Sequence, residues 1–119
     1  MRNMSFSLTT AQVHRRQKTV TRRLGWWNLK RGDLVRACVK CMGLKRGQHV
    51  KQICVIRIVS VRPERLGLLL RLPAYSRAEI SREGFGQMKS WQFVSFFCLS
   101  HRGCTPRTQV NRIEFEYVP

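Results

Sequence analysis

The stretch from Arg15 to Trp27 combines, more densely than any other segment, side chains that could do chemistry. Its thirteen residues hold five of the 23 basic side chains, two threonine hydroxyls and two of the three tryptophans. Cations bind phosphates, and the flat faces of indole and guanidinium groups stack on unpaired bases. The stretch therefore predicts a site for RNA or another single-stranded nucleic acid.

Further cations follow the stretch and extend the candidate surface. The predicted nucleic-acid contacts are Arg15, Arg16, Arg22, Arg23, Trp26, Trp27, Lys30, Arg31, Lys45 and Arg46. Adjacent side chains in an extended segment point in opposite directions. We therefore expect one of the two neighbouring tryptophans in the core and the other partly exposed.

The overall charge supports a polyanionic partner. The sequence has 23 basic and 6 acidic residues, a formal net charge of +17 and a pI near 11.4. Nucleic acid is the commonest polyanion that such a domain meets, and an acidic protein is an alternative. A membrane surface is disfavoured because the longest apolar run, Leu66–Leu70, has five residues and includes a glycine. No signal peptide is recognisable, so we expect a cytoplasmic protein.

The five cysteines raise the question of a metal site. Cys38 and Cys41 have the spacing of half a zinc knuckle, for which Cys98, His101 and Cys104 could complete the ligand set. However, the first two lie in a predicted strand, where positions three apart face opposite sides. We expect free thiols, no metal and no cofactor.

Hydrophobic periodicity and turn signals predict one α+β domain over residues 1–119. Strands are predicted at Met4–Leu8, Leu34–Cys41, Val50–Val61 and Val110–Val118, and helices from Thr10 to Gln17, Ser76 to Glu83 and Trp91 to Leu99. Pro63 should end the third strand. In the last strand the alternation places Arg112 on the polar face. The leucine-rich piece between the prolines at 63 and 73 should pack over one end of the core.

The order of several short motifs resembles that of ASCH domains. The motifs are Gln-Lys-Thr-Val-Thr-Arg-Arg at 17–23, Gly-Asp at 32–33, Arg-Pro-Glu at 62–64, Arg-Glu-Gly-Phe at 82–85 and Arg-Ile-Glu-Phe at 112–115. The residues in these motifs are most similar to those of small ASCH proteins of bacteria and phages. The resemblance implies a PUA-like β-barrel of about five or six strands with two or three flanking helices. It also implies a cleft beside residues 18–23 and an association with RNA.

The resemblance also implies candidate catalytic residues. One ASCH branch removes the acetyl group from acetylcytidine with a lysine, a threonine and a glutamate, and other members are linked to cleavage of single-stranded RNA. By motif these residues fall on Lys18, Thr21 and Glu83. A threonine hydroxyl needs a base, and a lysine serves only if its pKa is lowered. Residues three apart share a face of a helical turn but not of a strand, so this mechanism requires a turn at Lys18.

We therefore predict an RNA-binding domain whose contact surface surrounds Arg15–Arg31. The first alternative is a hydrolase that uses the same cleft, either an amidohydrolase or a ribonuclease. The second is an inhibitor or adaptor whose basic surface binds an acidic protein.

Overall fold

One mixed sheet, curled into a half-barrel, organises the chain in the computed structural model, which describes residues 1–41 and 43–119. The strands are β1 (Arg2–Ser5), β2 (Val20–Arg23), β3 (Leu34–Cys38), β4 (Gln52–Arg65) and β5 (Gln109–Tyr117). The helices are α1 (Thr10–His14), α2 (Pro73–Arg82) and α3 (Ser90–Ser100), with a 3-10 helix at Leu66–Leu70. The predicted α+β class, strand number and helix number are confirmed.

The strand order is β1-β3-β4-β5-β2, which places β1 and β2 at the two edges of the sheet. Only the β1–β3 pair is parallel; the other neighbours are antiparallel. A side chain links the two edges, because Nη2 of Arg23 in β2 donates to the carbonyl oxygen of Ser5 in β1 at 2.6 Å. Both edges therefore come together beside Arg23.

Thr21 lies in strand β2, and Lys18 lies in the link just before it and not in the turn that the lysine–threonine mechanism required. Val20 pairs with Glu114 and Arg23 with Asn111, so the segment is an ordinary antiparallel edge strand. The preceding helix is also shorter than predicted. It ends at His14 because Arg16 adopts a left-handed backbone with φ of 59°.

Strand β4 continues to Arg65 and is not ended by Pro63 as predicted. Its pairing with β3 covers only Gln52–Arg57, whereas its pairing with β5 reaches Arg65. Pro63 thus lies where one edge of the strand has no neighbour, and a missing N–H is tolerated there.

The interior consists of two hydrophobic clusters. The sheet cluster packs along the inner face of the sheet: Met4, Phe6, Val13, Leu29, Val35, Ala37, Ile56, Ile58, Ile113 and Phe115. The helix cluster joins the 3-10 helix, α2, α3 and the start of β5: Leu66, Leu69, Ile80, Phe93, Val94, Phe97 and Val110. Burial of Leu66 and Leu69 confirms that the leucine-rich piece packs over one end of the core.

Phe93 and Phe97 form the buried stripe of α3, whereas Trp91 is 61% exposed. The prediction that Arg112 lies on a polar face of β5 was wrong. Arg112 is 3% exposed, because its guanidinium forms a buried ion pair with Glu79 of α2. Alternation alone cannot identify a buried ion pair.

Within the described residues, no helix has the length and apolar character needed to span a membrane.

Candidate functional site

A cavity of about 190 Å³ opens between the sheet edges and α3. Its polar lining includes Lys18, Thr21, Arg22, Arg23 and Glu83. The rest of the lining is rich in aromatic rings and includes the segment after β1: Ser5, Phe6, Ser7, Leu8, Thr9, Phe85, Phe93, Phe96, Phe97, Ser100 and His101. All three residues of the predicted catalytic set therefore line one cavity.

Lys18 and Thr21 reach the same cavity without a helical turn between them. Thr21 belongs to β2, whereas Lys18 lies in the link before that strand, so strand alternation does not govern its direction. The link is held from both sides, since Thr19 N–H donates to Arg82 O at 2.9 Å and Tyr117 Oη donates to Lys18 O at 2.5 Å. The turn required at Lys18 is absent, but both side chains nevertheless line the same cavity.

The Lys18 ammonium is buried against Glu83. Its Nζ lies 3.0 Å from Oε1 of Glu83 and also donates to the main-chain carbonyl of that residue. Burial lowers the pKa of Lys18, and the charge and hydrogen bond of Glu83 oppose this without cancelling it. The nearby Arg23 and Arg22 charges lower it further. The pKa shift has the direction that a lysine base needs.

Arg22 lies at the centre of a buried ion cluster and not on the surface. Its guanidinium donates to Glu64 Oε1 at 2.8 Å, to Glu79 Oε1 at 2.7 Å and to Glu83 Oε2 at 3.1 Å. Arg112 supplies a second guanidinium to Glu79, with Nη2 3.0 Å from Oε2. Arg62, Arg82 and Glu114 extend this network towards the surface. Its buried members form the ion cluster: Lys18, Arg22, Arg112, Glu64, Glu79 and Glu83.

The charge partners keep Glu79 ionised despite its burial. Burial raises the pKa of this carboxyl group, but hydrogen bonds from Arg112 and Arg22 outweigh it and lower the pKa to about 2. Burial opposes ionisation of Arg22 too, and Glu83 and Glu64 nevertheless raise its pKa. Glu79 and Arg22 consequently stay charged near neutral pH.

Thr21 is oriented by Arg23. The Thr21 hydroxyl oxygen accepts a hydrogen bond from Nε of Arg23 at 3.0 Å, and the residue is 3% exposed. Across the described residues, no hydrogen bond joins this hydroxyl to Lys18 or Glu83. The three residues share the cavity, but only Lys18 and Glu83 are in direct contact.

Aromatic rings form the apolar wall. The Phe85 ring lies 5.5 Å from that of Phe96 and 5.7 Å from that of Phe93, centroid to centroid. His101 stacks on Phe97 at 4.2 Å with an interplanar angle of 20°. Rings at these spacings present flat apolar surfaces on which a planar group can stack.

The other predicted contact residues lie on the surface, apart from Trp26. Arg15, Arg16, Lys30, Arg31, Lys45 and Arg46 are all exposed. Trp27 is 54% exposed, whereas Trp26 packs against the sheet cluster with the Arg2 guanidinium 4.2 Å from its ring. The two tryptophans thus differ in burial as predicted, but Trp26 is only partly buried and is not a core residue.

The basic hairpin, residues 39–51, begins beside the cavity. Phe6 N–H donates to Cys38 O at 2.8 Å, and Ser5 Oγ donates to Val39 O at 3.4 Å. Both donors belong to residues that line the cavity. The hairpin carries Lys40, Lys45, Arg46 and Lys51 and no acidic residue. The hairpin therefore starts next to the cavity lining, and its four cations are exposed.

The sequence prediction missed the acids that hold Arg22, and it missed the aromatic wall. Glu64 and Glu79 are 42 and 57 residues from Arg22 in sequence, so no periodic spacing reveals them. One signal was present: three of the six acidic residues fall between positions 64 and 83. In a chain this basic, such a concentration indicates a local use for negative charge.

The cysteines do not assemble a metal site in the part of the chain that is described. No group of three His, Cys, Asp or Glu side chains there could hold an ion. Cys98 and Cys104 lie near each other, with 3.6 Å between sulfur atoms, and the described cysteines are free thiols.

Two solved structures share this fold. The chain resembles an ASCH domain from Lactobacillus crispatus JV V101, with a TM-score of 0.60 and 16% identity over 97% of this chain and 77% of that one. It also resembles protein EF3133 from Enterococcus faecalis V583, of the family DUF984, with a TM-score of 0.54 and 15% identity over 94% and 71% of the two chains. Neither the protein-family models nor the curated proteins give a match to the sequence. The fold is ASCH-like, as the sequence resemblance predicted.

Replacing Glu79 with glutamine should destabilise the protein strongly. The Glu79→Gln change removes the carboxylate nearest to Arg112, which keeps only Glu114 at 3.3 Å, and one of the three carboxylates around Arg22. Breaking these buried pairs should cost about 3–5 kcal/mol in the free energy of unfolding. Glu116→Gln is the matched control, because the Arg57–Glu116 pair is exposed and should contribute at most about 1 kcal/mol. Urea unfolding of both variants measures the difference. Equal losses of unfolding free energy in the two variants would show that the buried cluster stabilises the fold no more than an exposed ion pair does.

The contribution of Glu79 should disappear in acid. Because folding lowers its pKa from 4.5 to about 2, the stabilisation is complete above the unfolded value and decreases as the pH falls towards the folded one. The difference in unfolding free energy between wild type and Glu79→Gln should therefore be constant above about pH 5 and shrink below it. A difference that persists undiminished near pH 2 would contradict the assigned charge state.

Proposed function

We propose that this protein binds RNA or another single-stranded nucleic acid, with one unstacked base in the cavity and the neighbouring phosphates on the exposed cations. The observation that carries the proposal is a cavity lined by aromatic rings and cations in a protein whose surface is strongly basic. The ASCH-like fold supports it as well, since the family resemblance associates such domains with RNA.

The distribution of charge supports a polyanionic ligand. Among the basic residues that the structure describes, Lys18, Arg22 and Arg112 are fully buried and Arg23 is half-buried. The three fully buried cations are paired with three of the six acids in the ion cluster. The excess positive charge therefore lies at exposed or half-buried positions. Surface cations that lack acidic partners attract phosphates through long-range attraction and counterion release.

The cavity supports an unstacked base. Phe85 and Phe96 supply apolar rings to its lining, and Lys18, Thr21 and Glu83 supply hydrogen-bonding groups. Recognition of single-stranded RNA combines such stacking with contacts to the base edges. A double helix could not present a base to a cavity of this kind without unpairing it.

Binding should depend on salt and on the basic hairpin. We expect the logarithm of the affinity for a single-stranded RNA oligomer to fall with the logarithm of salt concentration, with a slope of about −0.7 for each phosphate neutralised. Replacing Lys45 and Arg46 with glutamine should weaken binding and make this slope shallower. Replacing the exposed Arg77 of α2 and Arg107 serves as the charge-matched control. Affinity that is absent or insensitive to salt would overturn the proposal.

The cavity itself is tested by two aromatic variants on the same helix. Phe96→Ala removes part of the wall and should weaken RNA binding by about 1–3 kcal/mol without changing the salt dependence. Trp91→Ala is the control, because that ring is 61% exposed and does not line the cavity. Equal effects of both variants would argue against base insertion.

A second candidate is a hydrolase that uses the same cavity. The buried contact between Lys18 and Glu83, with the Thr21 hydroxyl in the same cavity, favours it. Lys18 in its neutral form would take the hydroxyl proton as Thr21 attacks a carbonyl or phosphoryl group, and Glu83 would orient the lysine. The lysine would return the proton to the departing amine or alkoxide as its bond to the attacked centre breaks, and water would then hydrolyse the ester left on Thr21. The hydrogen bond from Arg23 would stabilise the developing negative charge on the threonine oxygen.

Thr21→Val separates the hydrolase from simple binding. The change keeps the shape of the buried side chain but removes the nucleophile, so turnover of acetylcytidine or single-stranded RNA should be abolished. Thr21→Ser, which keeps a hydroxyl, should retain activity. Turnover that Thr21→Val leaves unchanged would remove Thr21 from the mechanism, and RNA binding without turnover in wild type would leave the binding function alone. Capture of an acidic protein from nuclease-treated lysate, without RNA affinity, would support an adaptor.

A further inference from the structure

Arg23 differs from the other two basic side chains that line the cavity. Lys18 contacts Glu83 at 3.0 Å, and Arg22 is surrounded by three glutamates. No carboxylate in the described part of the chain lies within ion-pair distance of Arg23. The cavity therefore contains one positive charge that the protein does not neutralise directly.

Arg23 is fixed in position but retains unused donors. Its Nε donates to Thr21 Oγ1 at 3.0 Å, and its Nη2 donates to Ser5 O at 2.6 Å. The guanidinium also lies over the Phe6 ring, 4.8 Å from its centroid. Because a guanidinium has five N–H groups, the Nη1 pair and the second Nη2 hydrogen remain available. Adjacent Nη donors of this kind match two oxygens of a phosphate.

The surroundings of Arg23 favour an anionic partner. Burial lowers the pKa of Arg23 to about 10, and the charge of Glu83 opposes this only in part. A cation held away from water without a carboxylate gains more from an incoming anion than a solvated one does. The basic hairpin, which begins beside Ser5 and Phe6, adds positive potential on the same side.

We propose that Arg23 is a phosphate-binding residue of the cavity, and that the ligand is a nucleotide whose base stacks against the phenylalanine wall while its phosphate contacts Arg23. The inference rests on the proposed function, since it assigns the ligand class of the same cavity. Phosphate chemistry is favoured over a carboxylate because the free donors lie beside the Thr21 hydroxyl and the basic hairpin, which together could contact several oxygens.

The first measurement uses the wild-type chain. Calorimetric titration with each of the four ribonucleosides and its 5′-monophosphate gives the affinity due to the phosphate. At least one pair should show a preference for the nucleotide of about 10-fold or more, the strength of one charge-assisted contact. Inorganic phosphate should compete with that nucleotide. Equal affinity of nucleoside and nucleotide, or no binding of either at millimolar concentration, would overturn the proposal.

The second measurement assigns the preference to Arg23. Arg23→Gln should abolish it, while Arg23→Lys, which keeps the charge but not the paired donors, should leave an intermediate ratio. Arg77→Gln removes an exposed charge from α2 and should leave the ratio unchanged. A full preference in folded Arg23→Gln would overturn the assignment. If that variant does not fold, the Arg23→Lys ratio decides: a value equal to wild type contradicts paired contacts.

Two sources of phosphate are distinguished by comparing monoester and diester probes. Tight binding of a dinucleoside monophosphate indicates an internal position of an RNA strand, whereas binding of the 5′-monophosphate alone indicates a strand end; both outcomes support the contact.

The two proposals can fail separately. A nucleotide preference without affinity for oligomers would refute RNA binding only, and salt-dependent oligomer binding without a phosphate preference would refute the role of Arg23 only.

Discussion

The rest of the structure depends on the ion cluster around Arg22. Its six charged side chains come from β2, β4, α2, β5 and the segments beside β2 and α2, so one contact region ties together most of the fold. Buried charges are tolerated only when their partners are fully assembled. The cluster therefore requires β2 to lie beside β5 and α2 to pack over both. It also sets the position of Lys18 and Glu83, because Arg22 holds the second oxygen of that carboxylate.

The same cluster explains how so basic a chain presents its charge. A domain with 23 cations and 6 anions cannot balance itself, and it uses half of its anions in the interior. The three buried carboxylates therefore do little to reduce the positive potential at the surface. Glu116 and Arg57 form one of the remaining surface pairs. Fold stability and attraction for polyanions consequently depend on the same small set of acids.

Local signals in the sequence predicted much of the fold but few of the side-chain contacts within the site. The alternation at Ile113, Phe115 and Tyr117 identified β5 to within one residue at each end. The short strand β2 was not predicted, because four residues with two arginines carry no periodic signal and the strand exists through its pairing with β5. The motif resemblance found Lys18, Thr21 and Glu83. Contacts that bring distant residues together, such as Arg22 with Glu79, follow from tertiary packing and have no local signature.

The cavity occupies the boundary between the two hydrophobic clusters, since Phe6 belongs to the sheet cluster and Phe93 and Phe97 to the helix cluster. Protein interiors are elsewhere close-packed, so this boundary is a place where two halves of the molecule share an incomplete contact. A bound molecule would complete the packing of both halves at once. Binding to the folded chain alone raises its melting temperature, so thermal-shift screening of compound libraries offers a route to the natural ligand that presupposes no reaction.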